Sequence, residues 1–142
     1  MASVFDVAAY ILEKAGPMSA MKLQKLVYYS QAWSLVWDDR PLLKEPIQAW
    51  ANGPVAPALY RAHRGQFQVS SISNGNAHKL TQDERETVDA VLEFYGAKSS
   101  QWLSDLTHQE EPWINARIGY RDGEICENEI TPAAMAEYYG SL

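Results

Sequence analysis

The sequence predicts a mainly α fold, a single compact helical domain with a small antiparallel β element around residues 41–51. Three observations predict it. Apolar residues recur at helical spacing in several segments, serine or threonine caps precede those segments, and only the stretch between the second and third helices breaks the pattern with prolines. A length of 142 residues suits one domain. We therefore expect residues 1–142 to form one domain.

Two helices are expected before the proline-containing stretch. Ser3 can cap the first, and Gly16 ends it. Ser19 can cap the second, over residues 20–37, in which apolar side chains recur every three or four positions. Because this apolar stripe is wide, we expect the second helix to lie at the centre of the core.

The stretch that follows is expected to be extended. Pro41 and Pro46 rule out a continuous helix between residues 38 and 50, and the short apolar pairs beside them favour a small hairpin or edge segments. A turn at Gly53 then leads into a short helix, which begins at a proline and ends at Gly65. The β element should therefore be small and flanked by helices.

The second half again predicts helices. Residues 66–80 are polar and form the longest irregular connection of the sequence. Thr81 and Glu84 then form a capping box, and Gly96 ends the helix that they begin. Three further helices are expected, opened by Ser99 or Ser100, by Pro112 and by Thr131.

Charge is distributed unevenly along the sequence, whose net charge is −6. Residues 1–71 hold seven Lys or Arg against five Asp or Glu, a net +2, whereas residues 72–142 hold five against thirteen, a net −8. Nucleic-acid binding depends on clustered cations, so the acidity disfavours nucleic acid as a partner. A protein partner with a basic surface fits better, although charge that only maintains solubility is the alternative.

The sequence also indicates a compartment. Asp6 and Glu13 interrupt the apolar stretch that a secretory signal would need. No run approaches the roughly 18 apolar residues of a membrane span. The single cysteine, Cys126, excludes an internal disulfide. We therefore expect a cytoplasmic protein that has no membrane partner.

Motifs for catalysis, metals or cofactors are missing from the sequence. The three histidines, His63, His78 and His108, lack the paired spacing of a zinc motif. Acidic residues surround Cys126 and disfavour its thiolate. Phosphate-binding loops and the nucleophile elbow do not occur. We expect no enzyme activity, no cofactor and no metal. The alternative is a hydrolase or transferase that uses His63 or His108, alone or together with Cys126.

Four motifs in a fixed order resemble one protein family. They are K-L-Q-K-L at 22–26, A-W-x-x-G-P-V at 49–55, L-x-x-L-T-H at 103–108 and P-W at 112–113. With the helical segments around them, over about residues 4–139, they resemble the Panacea domain, also called the SocA-like antitoxin domain. The ordered combination is specific, whereas each motif alone is weak.

The resemblance implies an antitoxin that binds and neutralises a toxin encoded by a nearby gene, often in a phage or prophage. One related protein is described as a proteolytic adaptor, so delivery of a toxin or client to a protease is the alternative. Members of the family act against many unrelated toxins. The resemblance therefore names neither the toxin nor an oligomeric state.

The partner surface is expected to use motif residues that a protein core does not easily hold. Tyr29 and Trp113 are expected to be aromatic anchors. His108 can equally bond a backbone carbonyl and hold the turn before Pro112. The predicted partner-binding residues are Lys22, Gln24, Lys25, Tyr29, Asn52, Arg61, Arg64, His108, Glu110 and Trp113.

Overall fold

The computed structural model describes residues 2–142, which form seven α-helices and five short strands. The helices are α1 (Val4–Ala15), α2 (Ala20–Trp37), α3 (Pro57–His63), α4 (Gln82–Tyr95), α5 (Ser100–Thr107), α6 (Glu111–Ala116) and α7 (Pro132–Gly140). The strands are β1 (Met18–Ser19), β2 (Ile47–Trp50), β3 (Gly53–Val55), β4 (Gln68–Val69) and β5 (Glu129–Ile130). The predicted mainly helical fold with a small antiparallel sheet is confirmed. None of these helices combines the length and apolar character that crossing a membrane requires.

Side-chain caps begin the long helices where the sequence predicts them. The Ser3 hydroxyl accepts from the amide of Asp6, whose carboxylate accepts from the amide of Ser3 at 3.0 Å. Thr81 and Glu84 form the same reciprocal arrangement at α4. Ser19 caps α2 with its hydroxyl. Each cap satisfies a backbone donor that helix geometry leaves unpaired, which typically contributes about 1 kcal/mol.

Helix α2 is the centre of the fold. It contacts α1, α4, α5 and α7, and every side chain over residues 23–32 is buried as a result. Burial is therefore wider than the apolar stripe that the sequence predicts, and it includes Gln24, Lys25 and Gln31. At the end of the helix, Trp37 belongs to the predicted stripe but is 51% exposed.

The sheet has different boundaries from those predicted. Strand β2 pairs antiparallel with β3 through a tight turn, and its other edge pairs antiparallel with β5. The β element was expected around residues 41–51, but the strands lie at 47–55 and 129–130. Residues 41–46 lie outside the named strands because their two prolines cannot donate to a ladder. Strand β5 was missed because it depends on a partner far away in sequence.

The connection over residues 66–80 is fixed to the rest of the fold at several points. Strand β4 pairs with β1, and the amide of Ala20 donates to the carbonyl oxygen of Phe67 at 2.9 Å. Further along, the amide of Asn76 donates to the Asp6 carboxylate at 2.9 Å. The segment predicted as irregular is therefore tied both to the start of α2 and to α1.

Gly75→Ala is expected to lower the free energy of unfolding by about 1–3 kcal/mol, the usual range for overpacking. A Cβ at this position would clash with the carbonyl oxygen of Phe5 and would lie 2.8 Å from Cβ of Ala9. Urea unfolding measures the change. The control is Asn74→Ala, because Asn74 is the exposed neighbour. Equal effects of the two substitutions would show that Gly75 is not a close-packing position.

Candidate functional site

A groove with a volume of about 810 Å³ lies between the start of α2, the β2–β3 turn, α3 and the loop before β5. Met21, Trp50 and Tyr60 line it, and the rings of Trp50 and Tyr60 meet edge to face at 5.0 Å. Phe67 and Ile125 also line it and are 83% and 82% exposed. Large apolar side chains exposed beside an apolar cleft are typical of an interaction surface.

Gln24 joins α2 to α3 at the groove. Its Oε1 accepts from the amide of Ala56 at 2.9 Å, and its Nε2 donates to the carbonyl oxygen of Ala56 at 3.3 Å. The same Nε2 lies 3.0 Å from Nε2 of His63, which must accept because an amide nitrogen only donates. Burial lowers the pKa of His63 and favours this neutral form. Gln24 is therefore buried with its hydrogen bonds satisfied.

Lys25 is the most unusual side chain beside the groove. Its exposed fraction is 0%, and its Nζ donates to Sδ of Met21 at 3.2 Å, a weak acceptor. Among residues 2–142, no carboxylate lies within 4.0 Å of its ammonium group. Burial lowers the pKa of Lys25 to about 7. The structure therefore holds a desolvated amine that has almost no polar partner.

Gly53 makes room for the Lys25 side chain. A Cβ on Gly53 would lie 2.6 Å from Cε of Lys25 and 3.0 Å from Oγ1 of Thr107. The φ angle of Gly53 is +120°, which also favours glycine. The glycine of the A-W-x-x-G-P-V motif therefore serves the packing of the lysine as well as the turn.

His108 places a second unpaired nitrogen in the same region. Its ring stacks on Trp113 with centroids 4.1 Å apart. Its Nε2 is buried and finds no hydrogen-bond partner among the residues described, which is uncommon for a buried polar atom. Burial, followed by the nearby charge of Lys25, lowers the pKa of His108. The charge of Lys25 thus acts on the titration of His108, and both side chains have unmet hydrogen bonding.

The loop that carries Ile125 is held by Arg117. This buried guanidinium donates to the carbonyl oxygen of Ala49 at 2.8 Å, of Arg121 at 3.0 Å and of Glu124 at 2.7 Å. The guanidinium also lies over the Trp113 ring, 5.2 Å from its centroid. The position of Ile125 at the groove is therefore fixed by the sheet and by α6.

Glu110, in contrast, belongs to the core. Its Oε1 accepts from the hydroxyls of Tyr29 and Tyr139, both at 2.7 Å, and the hydroxyls of Tyr28 and Tyr139 lie 3.0 Å apart. Burial raises the pKa of Glu110, while the two tyrosine hydrogen bonds act in the opposite direction. This cluster joins α2, α7 and the residue that precedes α6.

Comparison with known proteins identifies the family. Residues 23–114 match the family model described as "Antitoxin SocA-like, Panacea domain". The chain is also 31% identical over 149 residues to Antitoxin SocA of Caulobacter vibrioides (strain NA1000 / CB15N), covering 87% of this chain and 78% of that protein. The chain belongs to the SocA-like antitoxin family. The comparison with solved structures gave no match.

This family membership confirms the resemblance seen in the sequence motifs, and the Panacea match contains both Lys25 and His108. Of the predicted partner-binding residues, the exposed ones are Asn52, Arg61 and Arg64, and the half-buried ones are Lys22 and His108. The buried ones are Gln24, Lys25, Tyr29, Glu110 and Trp113. The expectation that a core does not hold the polar residues of this set is wrong for Gln24, Lys25 and Glu110. Their contact with a partner stays a prediction.

The predicted aromatic anchors of the Panacea domain pack internally. The Tyr29 ring stacks on Tyr95 with centroids 4.2 Å apart. Nε1 of Trp113 donates to the carbonyl oxygen of Trp50 at 2.8 Å. Sequence reasoning missed Phe67 and Ile125, the two strongly exposed apolar residues that line the groove. Their signal was weak, because each is an isolated apolar residue next to polar ones.

Two side chains of the hydrolase alternative, His63 and Cys126, make contacts within the fold. His63 accepts from Gln24, and Sγ of the buried Cys126 lies 4.0 Å from the carbonyl oxygen of Ala116. Nowhere in residues 2–142 do three His, Cys, Asp or Glu side chains gather as a metal ion would require. In this member of the SocA-like family, the apolar groove is the candidate binding site.

Proposed function

We propose that this chain is an antitoxin that neutralises a cognate toxin, encoded nearby, by direct binding at the groove. Membership of the SocA-like antitoxin family supports the antitoxin role. The observation that supports the location is the exposure of Phe67 and Ile125 beside the apolar groove. A few side chains that become fully desolvated in a complex usually dominate the free energy of protein association, and large exposed apolar side chains beside a pocket are candidates for that role.

The charges along the groove suit a polypeptide occupant. Arg64 and Glu127 both line it, and Arg61 is exposed one turn before Arg64. Charges of both signs around an apolar centre fix the orientation of a bound segment and exclude partners with the wrong charge order. The occupant that fits is a segment of the toxin with apolar side chains and flanking charges.

Co-expression with the neighbouring gene tests the proposal. We expect the neighbour to arrest growth alone, this chain to restore growth, and the two proteins to copurify. Because direct occlusion needs no protease, the half-life of the toxin should not shorten. A neighbour that is harmless, or that neither copurifies nor loses its toxicity, would refute the antitoxin function.

The double substitution Phe67→Asp and Ile125→Asp tests the location. Each side chain is exposed in the free protein, so its replacement should leave the fold intact. If both residues are hot spots, each contributes at least about 2 kcal/mol, and the dissociation constant should rise more than roughly 100-fold. Calorimetric titration with the purified toxin measures this change.

The matched control is Phe94→Asp on α4. Phe94 is 67% exposed and lies outside the groove lining. We expect this variant to bind and neutralise like the wild type. If Phe94→Asp abolishes binding and the double variant does not, the toxin binds on α4 and the groove is the wrong surface.

A further inference from the structure

We propose that the groove recognises an Asp or Glu side chain of its partner, and that the buried ammonium group of Lys25 is the counter-ion of that carboxylate. The proposal rests on the proposed function, because the carboxylate belongs to the toxin segment that occupies the groove. His108 contributes Nε2 as a second contact. The Met21 side chain, which now covers Lys25, moves aside when the segment binds.

The Lys25 ammonium group has no counter-ion in the described part of the chain. Placing an amine in a protein interior is unfavourable unless hydrogen bonds and an opposite charge compensate, and buried lysines are therefore usually paired. Here the contact of Nζ is the sulfur of Met21, which leaves most of its donor capacity unused. Such a site is complementary to an anion that the described part of the chain does not supply.

Met21 connects the groove to Lys25. Met21 lines the groove, and its Sδ lies 3.2 Å from Nζ of Lys25. The Met21 side chain therefore contacts the amine and also lines the groove. Methionine is unbranched and adopts several rotamers at small energetic difference, so its displacement is easily achieved. Asn52, also in the lining, directly precedes Gly53, against which the lysine packs.

His108 provides a second buried nitrogen without a partner among the described residues. Nε2 of His108 is buried without a hydrogen-bond partner in residues 2–142, and the charge of Lys25 acts on its titration. A carboxylate has two oxygens and can accept from both groups at once. A Cβ on Gly53 would lie within 3.0 Å of both Lys25 and Thr107, the residue before His108, so the two nitrogen-bearing side chains belong to one part of the fold. An anion that reaches both would give the amine a counter-charge and, with Nε2 in its protonated tautomer, would accept from His108 as well.

A dependence on pH follows. A carboxylate stabilises the protonated lysine, so binding raises the pKa of Lys25 above its free value of about 7. Affinity should therefore fall as pH rises, by roughly 20-fold between pH 6.5 and 8.5 if Lys25 stays protonated in the complex. The charged groups that act with Lys25 are His63 on α3 and His108 after α5, and both have lowered pKa values. Both are therefore neutral over most of this range.

A small probe tests the inference on the isolated protein. Hexanoate carries an apolar tail and a carboxylate, and hexan-1-ol is its neutral match. By NMR we expect hexanoate to shift the Lys25 side-chain signals and raise their titration midpoint, and to bind the wild type at least tenfold more tightly than Lys25→Met at pH 6.5. Equal binding of hexanoate to both proteins, or equal shifts from hexan-1-ol, would overturn the inference.

The toxin supplies a second readout. Lys25→Met should bind it at least tenfold more weakly at pH 6.5 and should lose the dependence on pH. If Lys25→Met binds like the wild type at every pH while the Phe67 and Ile125 double variant fails, the carboxylate inference is wrong and the proposed function stands. If the wild type itself shows no binding to the neighbouring gene product, the proposed function is wrong, and hexanoate still decides the role of Lys25.

Discussion

Lys25→Met is expected to increase the free energy of unfolding by about 1–4 kcal/mol at pH 7. This is the range seen when buried ion pairs are replaced by apolar residues of similar volume, and it sets the scale for this unpaired amine. In the folded protein, burial lowers the pKa of Lys25 to about 7 from its ordinary 10.5. Protonated Lys25 therefore destabilises the folded state relative to the unfolded chain, in which water solvates the amine. Methionine preserves the length of the side chain and removes the polar group.

The stabilisation should depend on pH. Between about pH 7 and 10.5 the unfolded chain binds the Lys25 proton more strongly than the folded protein, so the stability of the wild type rises with pH across this window. Lys25→Met lacks this contribution, and its advantage should shrink towards pH 10.5. Urea unfolding at several pH values measures both effects.

The control for Lys25→Met is Lys22→Met on the same helix. Lys22 is half-buried, and its replacement should change the free energy of unfolding by no more than about 0.5 kcal/mol. If Lys25→Met is instead less stable than the wild type at pH 7, the lysine contributes to the free fold. Its burial would then need no partner to explain it.

Glu110→Ala is expected to lower the free energy of unfolding by about 2–4 kcal/mol. Its carboxylate accepts from Tyr29 and Tyr139, both buried, and its removal leaves two hydroxyls without this acceptor. Each buried group that loses its partner typically costs about 1–3 kcal/mol. Thermal or urea unfolding at pH 7 measures the change.

Two variants control this prediction. Glu111→Ala removes the neighbouring exposed carboxylate and should change stability by less than about 0.5 kcal/mol. Glu110→Gln retains an acceptor oxygen and should be less destabilising than alanine. Because burial raises the pKa of Glu110, the folded state retains this proton above pH 4.5 better than the unfolded chain does, and wild-type stability falls as pH rises through that region. Glu110→Gln has no titratable group at this position, so this decrease in stability with rising pH should be absent. A loss in Glu111→Ala equal to that in Glu110→Ala would contradict the structural role of Glu110.

The sequence allowed the helices to be predicted because their signals are local. Ser3, Ser19 and Thr81 cap helices through the amide three residues ahead, so cap and helix appear together in the sequence. Strand β5 could not be predicted in this way, because a two-residue strand exists only through its pairing with β2. Its partner lies about 80 positions away.

Of the predicted partner-binding residues, Gln24, Asn52 and Arg64 line the groove, but the burial of several others was not predicted. Lysine, glutamine and glutamate usually lie at the surface, so Gln24, Lys25 and Glu110 were expected to be exposed. Their burial follows from the position of α2 inside a ring of other elements, which no local pattern reveals. Conversely, Phe67 and Ile125 are the types expected inside, and they lie outside.

Arg117 donates to three carbonyl oxygens, and these hydrogen bonds bear on the entropy of binding the proposed toxin. They hold the turn before Ile125 in the free protein. Ordering flexible groups at an interface usually forfeits about 0.5–1.5 kcal/mol for each side chain immobilised. If the proposed partner binds at this rim, the ordered turn should confine that loss largely to the Ile125 side chain.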